Sequence, residues 1–344
     1  MSKTNDRQEM KINHHQFSLD SYERERLWEE KRRHFKDYCV NRYMWYNYPK
    51  WHYVAPFPLH VDFEASFRCD LSCPMCFRPH IDKKNYGDMD FDLFKKGIDE
   101  CVENELYSIR LSWRGESTLN PCIVDMVDYA KTKGIKEVSL ITNGRLLEGD
   151  LSKGLIEAGL DYLTVSVDGL EEDYNRLRKP NTFLDITQKI RNFNLLKNEI
   201  NDGFPLLKIQ AIWTYLKKNP VSYYNIFKDI TDKINFDPEN DYTLREVPQD
   251  HDFICQYPWQ RITITWNGEI PLCISDWNMY TKIGDLNNQT IKEVWLGEDM
   301  EYFRKMQLEK SRMRIKCCQR CHRPSTVQLG DRNEGRNNND NIEV

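Results

Sequence analysis

The stretch LHVDFEASFRCDLSCPMC (residues 59–76) combines a predicted β-strand with three closely spaced cysteines. The strand, residues 59–66, ends just before Cys69, Cys73 and Cys76, whose spacing is C-x3-C-x2-C. A tight loop can turn all three thiols onto one cluster, whereas a fully ligated [4Fe–4S] cluster needs four thiolates. No fourth cysteine follows within about twenty residues, so one iron is left open for a ligand from outside the protein.

Strands and helices alternate after residue 59, which favours a parallel sheet built from βα units. Strands are predicted at 59–66, 108–113, 137–143, 162–168, 206–215 and 241–247. The helical patterns between them cover 91–104, 122–134, 149–159, 183–200 and 222–234. Six such units predict an α/β fold, a partial (βα)6 TIM-like barrel with its chemistry at the carboxyl ends of the strands.

The pattern changes after about residue 250, where a smaller α+β module is predicted. RITITWNGEIPLC (261–273) contains two short strands around Asn267-Gly268, which is a strong signal for a hairpin. A helix is predicted over 290–310 and is followed by the cysteine-rich stretch CCQRC (317–321).

A second set of cysteines, separate from the first loop, lies in this module. Its members are Cys255, Cys273, Cys318 and Cys321, and the last two form a C-x2-C pair. Closing the chain between Cys273 and Cys318 costs roughly 3.5 kcal/mol, whereas metal ligation in zinc peptides yields about 10–16 kcal/mol. The four thiols can therefore assemble on one metal centre, with Cys317 as an alternative to Cys318.

Zinc remains an alternative to iron at both sets of cysteines. His80 could complete a four-ligand zinc site with the first three thiols, because structural zinc sites are closed by four ligands. A C-x2-C pair with two distant cysteines would also suit zinc.

Composition and charge limit the class of protein. The 344 residues are 30% charged and 40% hydrophobic, and the net charge of −5 gives no general attraction to nucleic acid. No stretch approaches the roughly 18 apolar residues of a membrane span, and residues 1–15 lack the apolar core of a secretory signal. We therefore expect a cytoplasmic protein in which clustered cysteines serve metal binding or catalysis.

Four segments follow from these patterns. Residues 20–38 predict a charged helix, and the aromatic stretch 43–58 is expected to pack on the core, with a nucleic-acid stacking surface as the alternative. The predicted segments are an N-terminal helical and aromatic extension (1–58), the barrel (59–250), the cysteine-bearing module (251–325) and a disordered tail (326–344).

The first cysteine loop, at the end of a first barrel strand, resembles that of the radical S-adenosylmethionine (SAM) superfamily. The resemblance continues on successive strand ends in SWRGEST (112–118), ITNG (141–144) and SVDG (166–169). It implies a [4Fe–4S] cluster on Cys69, Cys73 and Cys76 whose open iron binds the amino and carboxylate groups of SAM. The residues that it implies around SAM are Gly115, Glu116, Asn143, Ser166 and Arg178.

The chain departs from the family pattern at two places. Met75 stands where an aromatic residue usually precedes the third cysteine, and Arg114 and Ser117 differ from the family's Gly-Gly-Glu-Pro loop. Arg178 lies twelve positions after Ser166, as does a carboxylate-binding arginine in sulfatase-maturating relatives. A guanidinium suits that role because it matches a carboxylate with two parallel hydrogen bonds.

The second cysteine set resembles the short "twitch" form of the SPASM extension. The matching features are C-x12-G-x4-C from Cys255 to Cys273, the later C-x2-C pair and GDLNNQTIKEVW (284–295). The resemblance implies a second, auxiliary [4Fe–4S] cluster on Cys255, Cys273, Cys318 and Cys321. Four thiolates leave no open iron, so this cluster is expected to pass electrons, and a flavodoxin- or ferredoxin-type protein is expected to supply them.

The same resemblance leaves several reactions open. One is oxidation of an alcohol on a small polar substrate such as a sugar or aminocyclitol, with the auxiliary cluster as electron acceptor and an unidentified base. Another is epimerisation, in which a thiol returns hydrogen, with Cys122 as the first candidate and Cys101 or Cys317 as the others. Peptide modification and a non-catalytic iron–sulfur or zinc scaffold are the remaining alternatives.

Overall fold

The computed structural model describes residues 11–13, 16–81, 86–237, 239 and 252–324 of the chain. The strand predicted at 241–247 and the tail predicted at 326–344 lie outside these residues. No helix in the described part of the chain is long and apolar enough to cross a membrane.

A nine-stranded sheet forms the centre of the protein, and a two-stranded sheet lies beside it. The strands are β1 (Lys11–Asn13), β2 (Gln16–Ser18), β3 (His60–Phe63), β4 (Ser108–Arg110), β5 (Glu137–Thr142), β6 (Tyr162–Ser166), β7 (Leu206–Ile212), β8 (Lys233–Asp237), β9 (Arg261–Ile264), β10 (Glu269–Pro271) and β11 (Lys282–Asp285). The large sheet has the order β1-β2-β8-β7-β6-β5-β4-β3-β9, and its seven strands from β8 to β9 run parallel. This open parallel sheet is the predicted partial barrel.

Helices pack around the sheets, and those between successive parallel strands cover the outer face of the large sheet. They are α1 (Tyr22–Glu30), α2 (Phe35–Lys50), α3 (Phe91–Glu103), α4 (Ile123–Lys133), α5 (Gly149–Glu157), α6 (Glu171–Leu177), α7 (Phe183–Ile200), α8 (Trp213–Leu216), α9 (Pro220–Phe227), α10 (Ile291–Leu296) and α11 (Glu298–Leu308). Helix α7 has the predicted bounds, and α3, α4 and α5 begin or end within two residues of theirs.

The predicted helix at 222–234 extended too far, because α9 ends at Phe227 and residues 233–237 form β8 instead. Strand β8 is buried along most of its length and pairs in parallel with β7. It therefore takes the sixth position that the sequence analysis assigned to 241–247. Its five residues, KINFD, do alternate polar and apolar side chains, but so short a stretch directly after a helical pattern is easily read as the end of the helix.

Three further expectations need correction at their boundaries. The charged helix predicted at 20–38 is two helices, separated where His34 adopts a left-handed conformation, and α2 continues through much of the aromatic stretch. The helix predicted at 290–310 is divided at Gly297 into α10 and α11. The predicted turn at Gly268 is present, but β9 joins the large sheet beside β3 while β10 pairs with β11. Burial of Ile262 and Ile264 against the large sheet explains why β9 and β10 separate.

The two faces of the parallel sheet differ in polarity. Along β7, Leu207 and Ile209 are fully buried in the core under the helices, whereas Lys208 and Gln210 point to the inner face. On the same inner face, Asp62 of β3 pairs with Arg110 of β4 at 2.7 Å and with Arg261 of β9 at 2.9 Å. Burial alone would raise the pKa of Asp62, but the two guanidiniums hold it well below its usual value. The interior of the barrel is therefore polar.

The N-terminal extension covers the amino ends of the parallel strands. Trp28 of α1 packs on Tyr162 of β6 with ring centroids 5.3 Å apart, and Arg32 pairs with Glu137 of β5 at 3.0 Å. Gln260 donates a hydrogen bond of 2.8 Å to the carbonyl of Trp45 in α2. These contacts agree with an extension that packs on the core, and they close the end of the barrel that lies away from the cysteine loop.

Gly97→Ala is expected to destabilise the protein, because the added Cβ would lie 2.7 Å from Phe63 Cε1 and 3.0 Å from its Cζ. Phe63 is fully buried against Phe94 and cannot move aside easily. The overpacking cost of about 1–3 kcal/mol should outweigh the gain in helix propensity of about 1 kcal/mol.

Gly154→Ala is the matched control for this substitution. Its Cβ would meet the methyl groups of the half-buried Val124 at 3.1 Å, a contact that a small side-chain shift relieves. Urea denaturation should give a lower midpoint for Gly97→Ala than for Gly154→Ala, and equal midpoints would contradict the packing argument.

Candidate active site

A cavity of about 890 Å³ lies at the carboxyl ends of the parallel strands. It is lined by residues that follow β3 and β4 and by the last residues of β5, β6, β7 and β8. Eight residues that the sequence analysis selected line this one cavity: Cys69, Cys73, Cys76, Gly115, Glu116, Asn143, Ser166 and Arg178. Residues from four different βα units are thus brought together, as the barrel prediction requires.

The three cysteines lie in a loop that is tied to the end of β5. Asp70 accepts hydrogen bonds from Asn143 Nδ2 at 2.8 Å and from Arg145 Nη1 at 3.1 Å. Burial raises the pKa of all three thiols, that of Cys69 to about 11. Three half-buried thiols facing one polar cavity suit a metal that replaces their protons.

Glu116 holds the loop after β4 against the end of β5. Its fully buried carboxylate accepts four hydrogen bonds, from Thr118 N and Oγ1, Thr142 Oγ1 and Asn143 N, at 2.6–3.2 Å. Burial raises the pKa of Glu116, and these hydrogen bonds oppose that rise. Three of these bonds go to Oε1 and one to Oε2, and they tie both oxygens to neighbouring residues, so Glu116 positions its neighbours in the cavity wall.

Gly115 brings the backbone of the same loop close to the cysteine loop. A Cβ at this position would lie 2.2 Å from the carbonyl oxygen of Ser66 and 2.6 Å from that of Arg68. Since no side chain fits there, only glycine allows this approach.

Arg178 is half-buried in the cavity wall beside Cys73. Its Nε donates a hydrogen bond of 2.8 Å to Asp168 Oδ2. The other carboxylate oxygen, Asp168 Oδ1, accepts a hydrogen bond of 2.7 Å from the backbone N–H of Ile212. Burial raises the pKa of Cys73, and the charge of Arg178 lowers it. Arg178 is therefore oriented by Asp168, a residue that the sequence analysis quoted within SVDG without giving it a role.

The sequence analysis also missed Asp237, the last residue of β8. Asp237 lines the cavity and accepts a hydrogen bond from Gln210 Nε2. Among the described residues, its buried Oδ1 has no hydrogen-bond partner. Burial raises the pKa of Asp237 to about 6, against the attraction of Lys208. Recognising residues 233–237 as a strand would have placed Asp237 at a strand end.

Two of the predicted hydrogen donors lie elsewhere, and the third belongs to the second cysteine set. Cys101 is fully buried in the core. Cys122 precedes α4, where its backbone N–H donates to Asn120 Oδ1, and it is not among the described residues that line the cavity.

The second cysteine set comes together in the C-terminal module. Cys255, Cys273, Cys318 and Cys321 surround a small cavity, with Cys317 beside them. Gln307, which is fully buried, accepts a hydrogen bond from the backbone of Cys255 and donates to Cys318 Sγ at 3.9 Å. In the described chain, no three His, Cys, Asp or Glu side chains are arranged to hold a single metal ion.

Two family models match the chain on either side of residue 250. A model of the radical SAM superfamily matches residues 63–208, and a model of an iron–sulfur cluster-binding domain, SPASM, matches residues 255–322. The chain carries a radical SAM domain followed by a SPASM domain. The first implies a [4Fe–4S] cluster and SAM in the barrel, and the second implies auxiliary iron–sulfur ligation in the C-terminal module.

Curated relatives of this radical SAM protein match only parts of it. The chain is 33% identical over 153 residues to the tungsten-containing aldehyde ferredoxin oxidoreductase cofactor-modifying protein of Pyrococcus furiosus, covering 44% of this chain and 42% of that protein. It is 32% identical over 115 residues to a PqqA peptide cyclase of Bradyrhizobium diazoefficiens, covering 33% of this chain and 30% of that protein. The chain therefore spans less than half the length of these relatives.

Solved structures of similar fold cover more of the chain. They include BtrN in complex with AdoMet and 2-DOIA (17% identity, TM-score 0.54, 76% of this chain and 92% of that one). AnSMEcpe with bound AdoMet also matches, at 17% identity and a TM-score of 0.59 over 73% of this chain and 84% of that one. Streptococcus suis SuiB bound to S-adenosylmethionine matches at 17% identity and a TM-score of 0.55 over 79% of this chain and 74% of that one. At such low identity these matches establish the radical SAM fold alone.

Residues 273–277 join the two cysteine sets of the radical SAM protein. Near one end of this segment, the backbone N–H of Ser275 donates to Cys273 Sγ at 3.4 Å. At the other end, Trp277 stacks on Phe77, next to Cys76, with centroids 5.1 Å apart and planes inclined by 28°. Between them, Trp113 Nε1 donates to the carbonyl of Ile274 at 2.8 Å. The segment therefore runs from an auxiliary cysteine to the wall of the cavity.

A buried ion pair fixes this arrangement. Arg114 donates two parallel hydrogen bonds to the carboxylate of Glu64, from Nε to Oε1 and from Nη2 to Oε2, each 2.7 Å long. Glu64 is fully buried. The guanidinium lies between Phe67 and Trp113, 3.9 and 4.1 Å from their ring centroids, and donates to the carbonyl of Trp277. Arg114, which departs from the family pattern, thus connects the barrel to the C-terminal module.

Arg114→Met is expected to destabilise the protein strongly, because it leaves the Glu64 carboxylate buried without its cation, at a cost of about 3–5 kcal/mol. Glu64→Gln should also destabilise, since it leaves the guanidinium unpaired. The double variant should lose less stability than the sum of the two single losses. A double-mutant cycle by urea denaturation measures this coupling, and losses that add within about 0.5 kcal/mol would contradict it.

Proposed function

We propose that the chain reductively cleaves SAM to a 5′-deoxyadenosyl radical and uses it to oxidise an alcohol on a small polar substrate. The observation that carries the proposal is the 273–277 segment, which leads from Cys273 to the wall of the cavity that holds the first cysteine loop. This arrangement suits a reaction in which a substrate-derived electron leaves through the C-terminal module.

Cys69, Cys73 and Cys76 would hold the catalytic cluster in this proposal. When bound, the cluster supplies one electron and an open iron for the amino and carboxylate groups of SAM. Arg178, held by Asp168, presents a guanidinium beside Cys73 and is suited to pairing with a carboxylate. Asn143 and Ser166 add polar groups to the same wall, and Glu116 keeps that wall in place.

Asp237 is the proposed base. Three carboxylates line the described cavity, and two of them are engaged: Glu116 accepts four hydrogen bonds, and Asp168 holds Arg178 and Ile212. Asp237 keeps one oxygen without a hydrogen bond from the described residues. A carboxylate with a pKa of about 6 is ionised at neutral pH and basic enough to accept a proton in the reaction.

The proposed oxidation balances as follows. A hydrogen atom leaves the carbinol carbon for the 5′-deoxyadenosyl radical, which becomes 5′-deoxyadenosine. The hydroxyl proton goes to Asp237, and one electron remains. Cys255, Cys273, Cys318 and Cys321 would hold the auxiliary cluster, which would supply an acceptor for that electron. The substrate leaves as a ketone. A flavodoxin- or ferredoxin-type donor would supply the electron for the next reductive cleavage of SAM.

Peptide modification is a second candidate, favoured by the names of some relatives. SuiB was solved bound to precursor peptide SuiA, and the PqqA peptide cyclases are sequence relatives. The proposed small-molecule substrate is supported by the likeness of the fold to BtrN, which was solved in complex with AdoMet and 2-DOIA. Epimerisation has less support, because it requires a thiol that faces the cavity and Cys122 is not among the described lining residues.

Cys73→Ser is expected to abolish formation of 5′-deoxyadenosine, because the catalytic cluster loses one of its three thiolates. Anaerobic reconstitution, reduction with dithionite and chromatography of the nucleosides measure this loss. Cys39→Ser, at an exposed cysteine, is the matched control and should retain the wild-type amount. Wild-type protein that is loaded with iron yet forms no 5′-deoxyadenosine would refute the proposed activity.

Asp237→Asn is expected to leave reductive SAM cleavage intact while it lowers ketone formation per 5′-deoxyadenosine at least tenfold. In the wild-type protein, ketone formation should rise with pH between about 5 and 7, since the base must lose its proton near pH 6. The rise should vanish in Asp237→Asn. Mass spectrometry of sugars and aminocyclitols incubated with the enzyme detects the loss of two hydrogens, and an unchanged product ratio would rule out Asp237 as the base.

A further inference from the structure

Two arginines flank the cysteines of the C-terminal module. Arg323 lines the same small cavity as Cys255, Cys273 and Cys321, and its charge acts on all three thiols. The side chain is nine-tenths buried, and its guanidinium lies 3.8 Å from the ring centroid of Tyr257. This stacking fixes a positive charge beside the cluster site, where water cannot screen it well.

Arg312 approaches the cavity from the side of Cys318. Only 2% of the residue is exposed, and its Nη1 donates to the carbonyl of Cys318 at 3.4 Å. The charge of Arg312 acts on the Cys318 thiol, and the ring of Phe253 covers the guanidinium at 5.6 Å. Both arginines are thus held in place by an aromatic ring on one side and the cysteine site on the other.

Negative charge near this site is limited. The described lining of the small cavity contains no Asp or Glu side chain. Asp276 lies outside that lining but acts on Cys317 and Cys318, and its carboxylate is held by the backbone N–H groups of Tyr280 and Thr281. Among the described residues, the fixed charges that act on these cysteines are therefore two buried guanidiniums, opposed by one carboxylate that lies outside the cavity lining.

We propose that Arg312 and Arg323 raise the reduction potential of the auxiliary cluster and so make it an acceptor of the substrate's electron. Reduction adds one negative charge to a cluster that four thiolates already make negative, and nearby fixed cations stabilise the added charge. Net charge, hydrogen bonds to sulfur and exposure to solvent are the main determinants of such potentials. In a poorly solvated site, the effect of one charge at short range is larger than at the surface.

The surroundings of the first cysteine loop differ in this respect. Arg178 beside Cys73 is paired with Asp168, and Arg145 beside the same loop is paired with Asp70. A third cation, the buried Arg78, acts on Cys69 and Cys76, and the buried carboxylate of Glu116 acts on Cys69 in the opposite sense. Carboxylates thus offset the cations around the catalytic site, whereas the described auxiliary site has an excess of positive charge. This difference favours electron flow from the cavity towards the C-terminal module, which the proposed oxidation requires. The inference rests on the proposed function for its purpose, but the potential itself can be measured without any substrate.

The test compares the midpoint potential of the auxiliary cluster in variants that remove one charge each. Cys73→Ser serves as the background, so that the auxiliary cluster is observed without the catalytic one. An anaerobic redox titration followed by electron paramagnetic resonance gives the potential. Arg323→Gln and Arg312→Gln should each shift it to more negative values, and Asp276→Asn should shift it to more positive values.

Arg320→Gln is the matched control, since Arg320 lies between Cys318 and Cys321 in sequence but its side chain is exposed. It should leave the potential nearly unchanged, because solvent screens its charge. Iron analysis of every variant confirms that the cluster is present. If Arg323→Gln and Arg312→Gln retain the wild-type potential, or shift it no more than Arg320→Gln does, the inference is wrong even if SAM cleavage and alcohol oxidation are intact. Loss of ketone formation in a variant with an unshifted potential would likewise count against it.

Discussion

The buried pair between Glu64 and Arg114 is the contact on which the arrangement of both cysteine sets depends. Glu64 follows β3 and precedes the first cysteine loop, Arg114 follows β4, and the backbones of Trp266 and Trp277 bond to the pair from the C-terminal module. A charge buried at this depth is stable only with its partner in place. The pair therefore holds three distant parts of the chain in one arrangement and keeps residues 273–277 against the cavity.

A second constraint comes from the polar inner face of the barrel. Hydrophobic side chains fill the space between the sheet and the helices, while the inner face carries charged groups that are paired across strands, as Asp62 is with Arg110 and Arg261. A sheet with such an interior leaves room for a large polar cavity at its carboxyl edge. The N-terminal helices close the opposite end, so the chemistry is confined to the edge where the cysteine loop lies.

Some features of the site could be predicted from sequence because they are local. Cys69, Cys73 and Cys76 lie within eight residues, so their spacing alone brings them into one loop, and the strand ends that follow carry recognisable polar residues. Asp237 was not found in this way, because β8 is only five residues long and its first two residues were included in the predicted helix at 222–234. The role of Glu116 was also hidden, since its hydrogen bonds reach across to Thr142 and Asn143 on the next strand.

The sequence by itself determined the alternating α/β architecture, the first cysteine loop and the membership of four later cysteines in one set. Periodicity and short-range spacing are properties of residues close together in the chain, so they can be recognised without knowledge of the fold. Only the tertiary structure decided that Arg178 is held by Asp168, that Asp237 faces the cavity and that Arg312 and Arg323 flank the second set. These relations join residues far apart in the chain, and their distances are set by strand pairing and side-chain packing across the whole molecule.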